Sequence, residues 1–152
     1  SNYIYDHEQT IMVIFKILSC NLNSGLVEIQ SSTDKILLAY SNSTKCAPYA
    51  SISDKFFLNS YIEIELDKWY HFTFVFGIKK ALIYLNGTVM KNETKSIMPQ
   101  ISSVQSVFIG KTTIGNNPAS GLIIDDVKIF SKAMSNQEVD YYFRKYKLLI
   151  FI

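Results

Sequence analysis

Residues Tyr70-His71-Phe72-Thr73-Phe74-Val75-Phe76 alternate without a break, with Phe72, Phe74 and Phe76 on one side and His71, Thr73 and Val75 on the other. A period of two is the pattern of a β-strand with distinct faces. The phenylalanine side is expected to meet the core. Residues 80–85 (KALIYL) then run into Asn86-Gly87. Asn-Gly between two β-rich segments is a strong hairpin signal, because both residues accept the positive φ of a tight turn. Residues 88–91 should form the returning strand.

Working outward, the chain reads as short β-runs parted by turn residues. Residues 10–18 (TIMVIFKIL) are apolar, long for a strand and without helix caps. Residues 25–30 and 35–40 look like two further strands, split by Ser31-Ser32-Thr33-Asp34. Residues 41–53 are polar, hold Cys46 and Pro48, and are expected to be a loop. Residues 56–67 carry one or two strands. Downstream, residues 106–110 form a strand, 111–121 a loop, and 122–130 (LIIDDVKIF) the last clear strand. One helix is expected. Ser135 and Glu138 have capping-box spacing, so that each side chain meets an N–H left free at a helix start. It should end near Lys145. Many short strands with turns between them predict two antiparallel sheets packed as a sandwich.

Five features come in a recognisable order. Asp67-Lys68-Trp69-Tyr70-His71 opens a strand, Tyr84-Leu85-Asn86-Gly87 makes a hairpin, and Phe108-Ile109-Gly110 ends a strand. Gly121-Leu122-Ile123-Ile124-Asp125-Asp126-Val127 follows, and Ser131 to Ser135 leads into the short helix. This order resembles the laminin G-like, concanavalin A-like jelly-roll family. It covers about half the chain, and the first half agrees by β-pattern alone. The resemblance implies an all-β jelly-roll β-sandwich with one short C-terminal helix. It also implies one or two strands ahead of residue 10. Here only Tyr3 to Tyr5 stand there, so an edge is expected to need completion by residues 148–152 or by a larger parent chain.

With 152 residues the chain suits a single domain spanning 1–152, read as a fragment of a larger protein. It opens at Ser1 with no visible leader. An apolar fraction of 48% excludes intrinsic disorder. Charge is nearly balanced, and no Lys/Arg run suggests a nucleic-acid partner. No apolar run reaches membrane-spanning length, so no membrane insertion is expected from this segment. Cys20 and Cys46 form an even pair, and sequons stand at Asn42, Asn86 and Asn92. Together they point to an oxidising, extracellular setting with a Cys20–Cys46 disulfide and glycosylated asparagines. Asn86, at a hairpin tip, is the best placed of the three.

Candidate chemistry is sparse. Glu63, Glu65 and Asp67 would line one face if their segment were a strand, as in jelly-roll glycosidases. A solvated outer face is the favoured reading. Asp125 shares alternation with Ile123, Val127 and Ile129, which places a carboxylate on a core-facing row. Such a group must be hydrogen-bonded or metal-bound. The family resemblance implies that acidic residues near this strand bind Ca²⁺ in some members, which makes Asp125, with Asp126 second, the metal candidates. Backbone N–H groups from a loop are the alternative. His71 and Trp69 read as packed strand residues. There is no nucleophile elbow and no phosphate-cradling glycine motif.

The expected function is non-catalytic recognition of a glycan or a partner protein, through residues 41–53 and 111–121 or through a sheet face. A structural role within a larger chain or assembly is the alternative, and glycoside hydrolysis ranks third.

Overall fold

The computed structural model describes residues 8–20, 24–42, 46–53, 55–96, 98–99, 101, 104–110 and 121–150. In chain order the elements are β1 (Gln9–Ile17), β2 (Ser24–Gln30), β3 (Lys35–Asn42), β4 (Cys46–Ile52) and β5 (Phe56–Asn59). They continue with β6 (Trp69–Phe76), β7 (Lys80–Leu85), β8 (Thr88–Thr94), β9 (Ser106–Ile109), β10 (Leu122–Phe130) and α1 (Asn136–Ile150). One sheet runs β10-β1-β6-β7-β8 and the other β5-β4-β3-β2-β9. Every described pairing is antiparallel. The expected jelly-roll β-sandwich is the fold.

The core lies between the sheets. Phe72, Phe74 and Phe76 enter it as the alternation requires, beside Ile11, Val13, Phe15 and Ile17 from β1. β1 is apolar on both sides because both sides are covered. Met12 faces away from the core and packs under α1 with Val75, Leu82, Tyr84, Met134 and Val139. A strand buried on two faces reads as a continuous apolar run, which residues 10–18 do. The Thr10 hydroxyl fixes the approach to the helix. It donates to the Lys132 carbonyl (2.7 Å) and accepts from the Met134 N–H (3.0 Å).

Four expectations need correction. The expected loop at 41–53 is largely strand, because β3 extends to Asn42 and β4 pairs with it over Cys46–Ile52. Pro48 argues against a strand at sequence level, but β5 pairs only with Tyr49 to Ile52. Pro48 therefore lies beyond the end of β5, and its missing N–H costs no ladder bond. The helix runs past Lys145 to Ile150, so residues 148–150 are helical and do not replace a strand. Residues 56–67 hold one strand, β5, within the expected one or two, and residues 60–68 are irregular. Finally, β10 carries a bulge. Ile14 pairs with Asp126 and Phe15 with Ile124, leaving Asp125 extra. The core-side row is Leu122 and Ile124, then Val127. Ile123 and Asp125 are exposed. Residues 3–5 and 111–120 lie outside the described residues.

Candidate functional site

The two outer faces of the sandwich differ, and each gathers polar side chains. On the β10-β1-β6-β7-β8 sheet the face is closed by α1. Ser135 caps the helix, its hydroxyl accepting from the Glu138 N–H (3.2 Å). The Glu138 carboxylate also pairs with the Lys132 ammonium (2.8 Å). That ammonium holds its carboxyl below the usual range. Tyr84 donates its hydroxyl hydrogen to Asn136 Oδ1. The Asn86-Gly87 turn tucks against the helix, and a Cβ on Gly87 would stand 2.8 Å from Phe143 Cδ1.

Under the helix C-terminal half is a cleft of about 140 Å³, with His71, Asp125, Asp126, Lys128, Lys145 and Tyr146 in its wall. His71 is 2% exposed. Its ring lies 5.9 Å from Phe143 and 6.1 Å from Tyr146, and Nδ1 is 3.3 Å from the Thr73 hydroxyl. Burial pushes its pKa down to about 4, against a smaller upward pull from Asp126. Burial, assisted by the Asp125 charge, pushes Tyr146 up to about 12. Asp126 is ion-paired with Lys128. Among the described residues no three His, Cys, Asp or Glu side chains gather around a point. Two carboxylates facing two lysines do not fit a calcium site, because the cation would compete with an ammonium already in place.

The outer face of the β5-β4-β3-β2-β9 sheet is built differently. Cross-strand pairing puts Lys35, Leu37 and Ala39 of β3 beside Tyr49 and Ser51 of β4, and these beside Phe57 and Asn59 of β5. Glu28 of β2 and Phe108 of β9 continue the row across the sheet. The Tyr49 and Phe57 rings lie 4.9 Å apart, tilted by 36°. Tyr49 is buried, and burial raises its pKa. Phe57 is 55% exposed. The rings floor a groove of about 470 Å³ whose wall includes Lys35, Ser51, Lys55 and Lys95.

One end of this groove is fixed by the Ser31–Asp34 turn. Asp34 Oδ1 accepts from the Ser53 hydroxyl (3.0 Å) and from Lys55 Nζ (3.0 Å), and Oδ2 accepts from Thr33 Oγ1 (2.9 Å). Lys55 foremost holds the Asp34 carboxyl below the usual range. At the other end Lys95 lies over the Phe56 ring (5.0 Å) and 3.8 Å from Glu93. Glu28 is fully buried and accepts from the Gln30 side-chain amide (2.5 Å).

The remaining sequence candidates scatter. Cys20 and Cys46 form a disulfide with a Cα–Cα distance of 6.0 Å, joining the end of β1 to the start of β4 in the opposite sheet. Glu63, Glu65 and Asp67 are exposed in the irregular segment, and the last two pair with Lys68 and Lys16. The alternate-residue geometry of a strand does not hold there, so no carboxylate row forms. Trp69 is half-buried beneath Lys16 Nζ, 5.2 Å from its ring centre. Asn92 is exposed on edge strand β8. Asn86 is half-buried and its Oδ1 accepts from the His71 N–H (2.9 Å), so it is the more confined of the two sequons. The Asn42 side chain lies outside the described residues. Tyr49 and Phe57 were missed at sequence level. The available signal was Tyr49-Ala50-Ser51-Ile52 alternating inside the presumed loop.

A laminin G family model, described as the concanavalin A-like lectin/glucanases superfamily, matches residues 3–140. No curated protein matches the chain. Among solved structures, a heptameric SAP-like pentraxin from Limulus polyphemus superposes with a TM-score of 0.69 at 19% identity, over 88% of this chain and 68% of that one. Domain 4 of AbnA, a GH43 extracellular arabinanase from Geobacillus stearothermophilus in complex with arabinotriose, gives 0.70 at 15% identity, over 89% of this chain and 66% of that one. A putative carbohydrate binding protein from Bacteroides ovatus gives 0.72 at 15% identity, over 89% and 40%. The sialidase of Trypanosoma rangeli gives 0.69 at 14% identity, and this chain spans 23% of it. At such identities the likeness is one of fold.

Proposed function

The chain belongs to the laminin G-like family of the concanavalin A-like lectin/glucanases superfamily, and from that membership we propose that it is a non-catalytic module that binds a glycan on the outer face of the β5-β4-β3-β2-β9 sheet. The observation that carries this reading is the Tyr49–Phe57 pair. A large aromatic ring held half in solvent, over a second ring and beside hydroxyl and ammonium groups, suits a ligand with one apolar and one polar side. A pyranose or furanose ring is such a ligand. The carbohydrate-binding neighbours support the same class.

The setting belongs to the proposal too. A disulfide joining the sheets favours an oxidising, extracellular compartment. The non-catalytic part is supported by the carboxylate count. Glu28 stands alone among the described acids on this face, where glycoside hydrolysis uses a facing pair. Hydrolysis of an arabinan or β-glucan that is lost in Glu28→Gln would overturn that part.

The test is Phe57→Ala in a glycan-array and calorimetry series. The loss of one stacking ring, on the order of 1 kcal/mol, should weaken binding about fivefold. Unchanged affinity would remove this face from the proposal. A second reading, packing within a larger assembly, is favoured by the β9 and β10 edges. Val107 (44% exposed) and Ile109 (54%) of β9 share a side with core residues Ile29 and Val27, and Ile129 (45%) of β10 pairs with core residue Ile11. A strictly monomeric species by light scattering, across a wide concentration range, would count against self-association through these edges.

A further inference from the structure

The two sequons with described side chains sit in opposite surroundings, and the extracellular setting proposed above makes that difference matter. Asn92 lies in the middle of β8, the outermost strand of its sheet. It is exposed, and so is Thr94, whose hydroxyl completes the acceptor sequence. No hydrogen bond or ion pair ties the Asn92 side chain among the described residues. Asn92 pairs with Leu82, which packs under α1, so it stands on the helix side of the sheet. The groove beside Phe57 belongs to the other sheet and is left clear.

Asn86 differs at each point. It is half-buried, with φ 51° in the hairpin turn. Its N–H donates to the His71 carbonyl (2.8 Å), and its Oδ1 accepts from the His71 N–H (2.9 Å). Gly87 comes so near α1 that a single added carbon would stand 2.8 Å from Phe143 and 3.4 Å from Asp140 Oδ1. A sugar attached here before folding would have to fit between the turn and the helix. Chains modified at Asn86 would not close α1 over the sheet.

We propose that Asn92 carries an N-linked glycan, that Asn86 stays bare in the folded chain, and that the glycan closes the β8 edge. The donor is a lipid diphosphate oligosaccharide. Asn92 Nδ2 forms a bond to C1 of the first sugar as the bond from C1 to the phosphate oxygen breaks. Nδ2 gives up one proton, and the lipid diphosphate leaves. An outer strand offers unpaired N–H and C=O groups to any other strand, here over seven residues. Lys91 and Glu93 already put charge on β8, and a bulky hydrated glycan between them bars a second strand. The free edge of that sheet is then β10.

The test secretes the whole chain from a glycosylating eukaryotic cell and maps its peptides by mass after enzymatic glycan release, which turns a modified Asn into Asp. Asn92 should read as Asp in most molecules and Asn86 as Asn. Thr94→Ala should remove the mass of one glycan. Thr88→Ala, which breaks the other sequon and leaves the Asn86 side chain in place, should remove none. A bare Asn92 in the secreted, folded chain overturns the inference, and so does an Asn86 modified as fully as Asn92. By light scattering, Asn92→Gln should self-associate at about tenfold lower concentration than the glycosylated chain. Equal association overturns the role of the glycan at the edge. The setting is tested separately, on the chain taken from its own cells. Free thiols at Cys20 and Cys46 would refute the extracellular reading, whereas a bonded pair beside a bare Asn92 would refute this inference alone.

Discussion

The two outer faces of the sandwich begin from similar material and end differently. Each sets aromatic rings beside lysines, but Asp125 and Asp126 line the cleft on the first, and no described carboxylate lines the groove on the second. On the β1–β6 side an amphipathic helix of 15 residues lies over the sheet, and the polar groups are committed. His71 is enclosed by Phe143 and Tyr146, Asp126 holds Lys128, and Asn86 holds the His71 backbone. On the β3–β4 side Phe57 stays half in solvent and Lys35 keeps its charge unpaired among the described residues. Titratable groups in a cleft draw attention as functional candidates. Here the most perturbed of them, His71 and Tyr146, sit on the closed face, where burial under a structural helix is the chief cause. On the other face Glu28, Leu37, Ala39 and Tyr49 are buried, and it is the groove beside exposed Phe57 that carries the weaker pKa signals and the better surface for a ligand.

The strongest way to break the contrast is to lift the helix. Val139 is fully buried between α1 and the sheet, packed with Met12, Val75 and Tyr84. Val139→Asp would bury a carboxylate with no partner among them, a change expected to cost about 4 kcal/mol. Hydrogen exchange should show α1 and the Asn86-Gly87 turn losing protection, with the Tyr49–Phe57 face retained. Uniform loss of protection on both faces would mean that the helix is integral to the whole sandwich and that the faces are not separable.

Acid should attack the same face next. The His71 folded pKa lies near 4, below its ordinary 6.5. The unfolded chain therefore binds a proton that the folded one refuses between those values. A group lowered in this way contributes stability that is complete above pH 6.5 and is lost as pH falls toward 4. The size is about 3 kcal/mol. Urea midpoints measured at pH 7 and pH 4.5 should differ, and His71→Phe should remove much of that difference. An unchanged pH dependence in the variant would assign acid sensitivity to other groups.

Legibility in the sequence followed whether a local pattern was also the tertiary answer. The alternation of residues 70–76 and the Asn-Gly turn are local devices, and both hold in the structure. β4 was hidden because Pro48 is excluded from a paired strand only where both neighbours persist, and the short length of β5 is not visible at Pro48 itself. Asp125 was misplaced for a related reason. One extra residue in a strand shifts every side chain beyond it to the other face, and nothing in LIIDDVKIF marks the bulge. The Cys20–Cys46 pairing is present as expected. The open groove was out of reach, because Lys35, Tyr49, Phe57 and Lys95 come from four separate segments and meet only through sheet order.

The smallest expected effect is the most discriminating. Phe57 is over half exposed and stands on edge strand β5, so Phe57→Ala removes little buried apolar area. Its folding cost should be within about 0.5 kcal/mol, apart from a fraction of the ring–ring contact with Tyr49. Phe72, fully buried in the core, should cost about 4 kcal/mol on truncation to alanine. A small cost would mean that Phe57 has little structural duty and that its ring is available to a ligand. Equilibrium unfolding of the two variants puts a number on that difference. If Phe57→Ala proves as costly as a core truncation, Phe57 is a structural lid over Tyr49, and the open face loses its claim to be a binding surface.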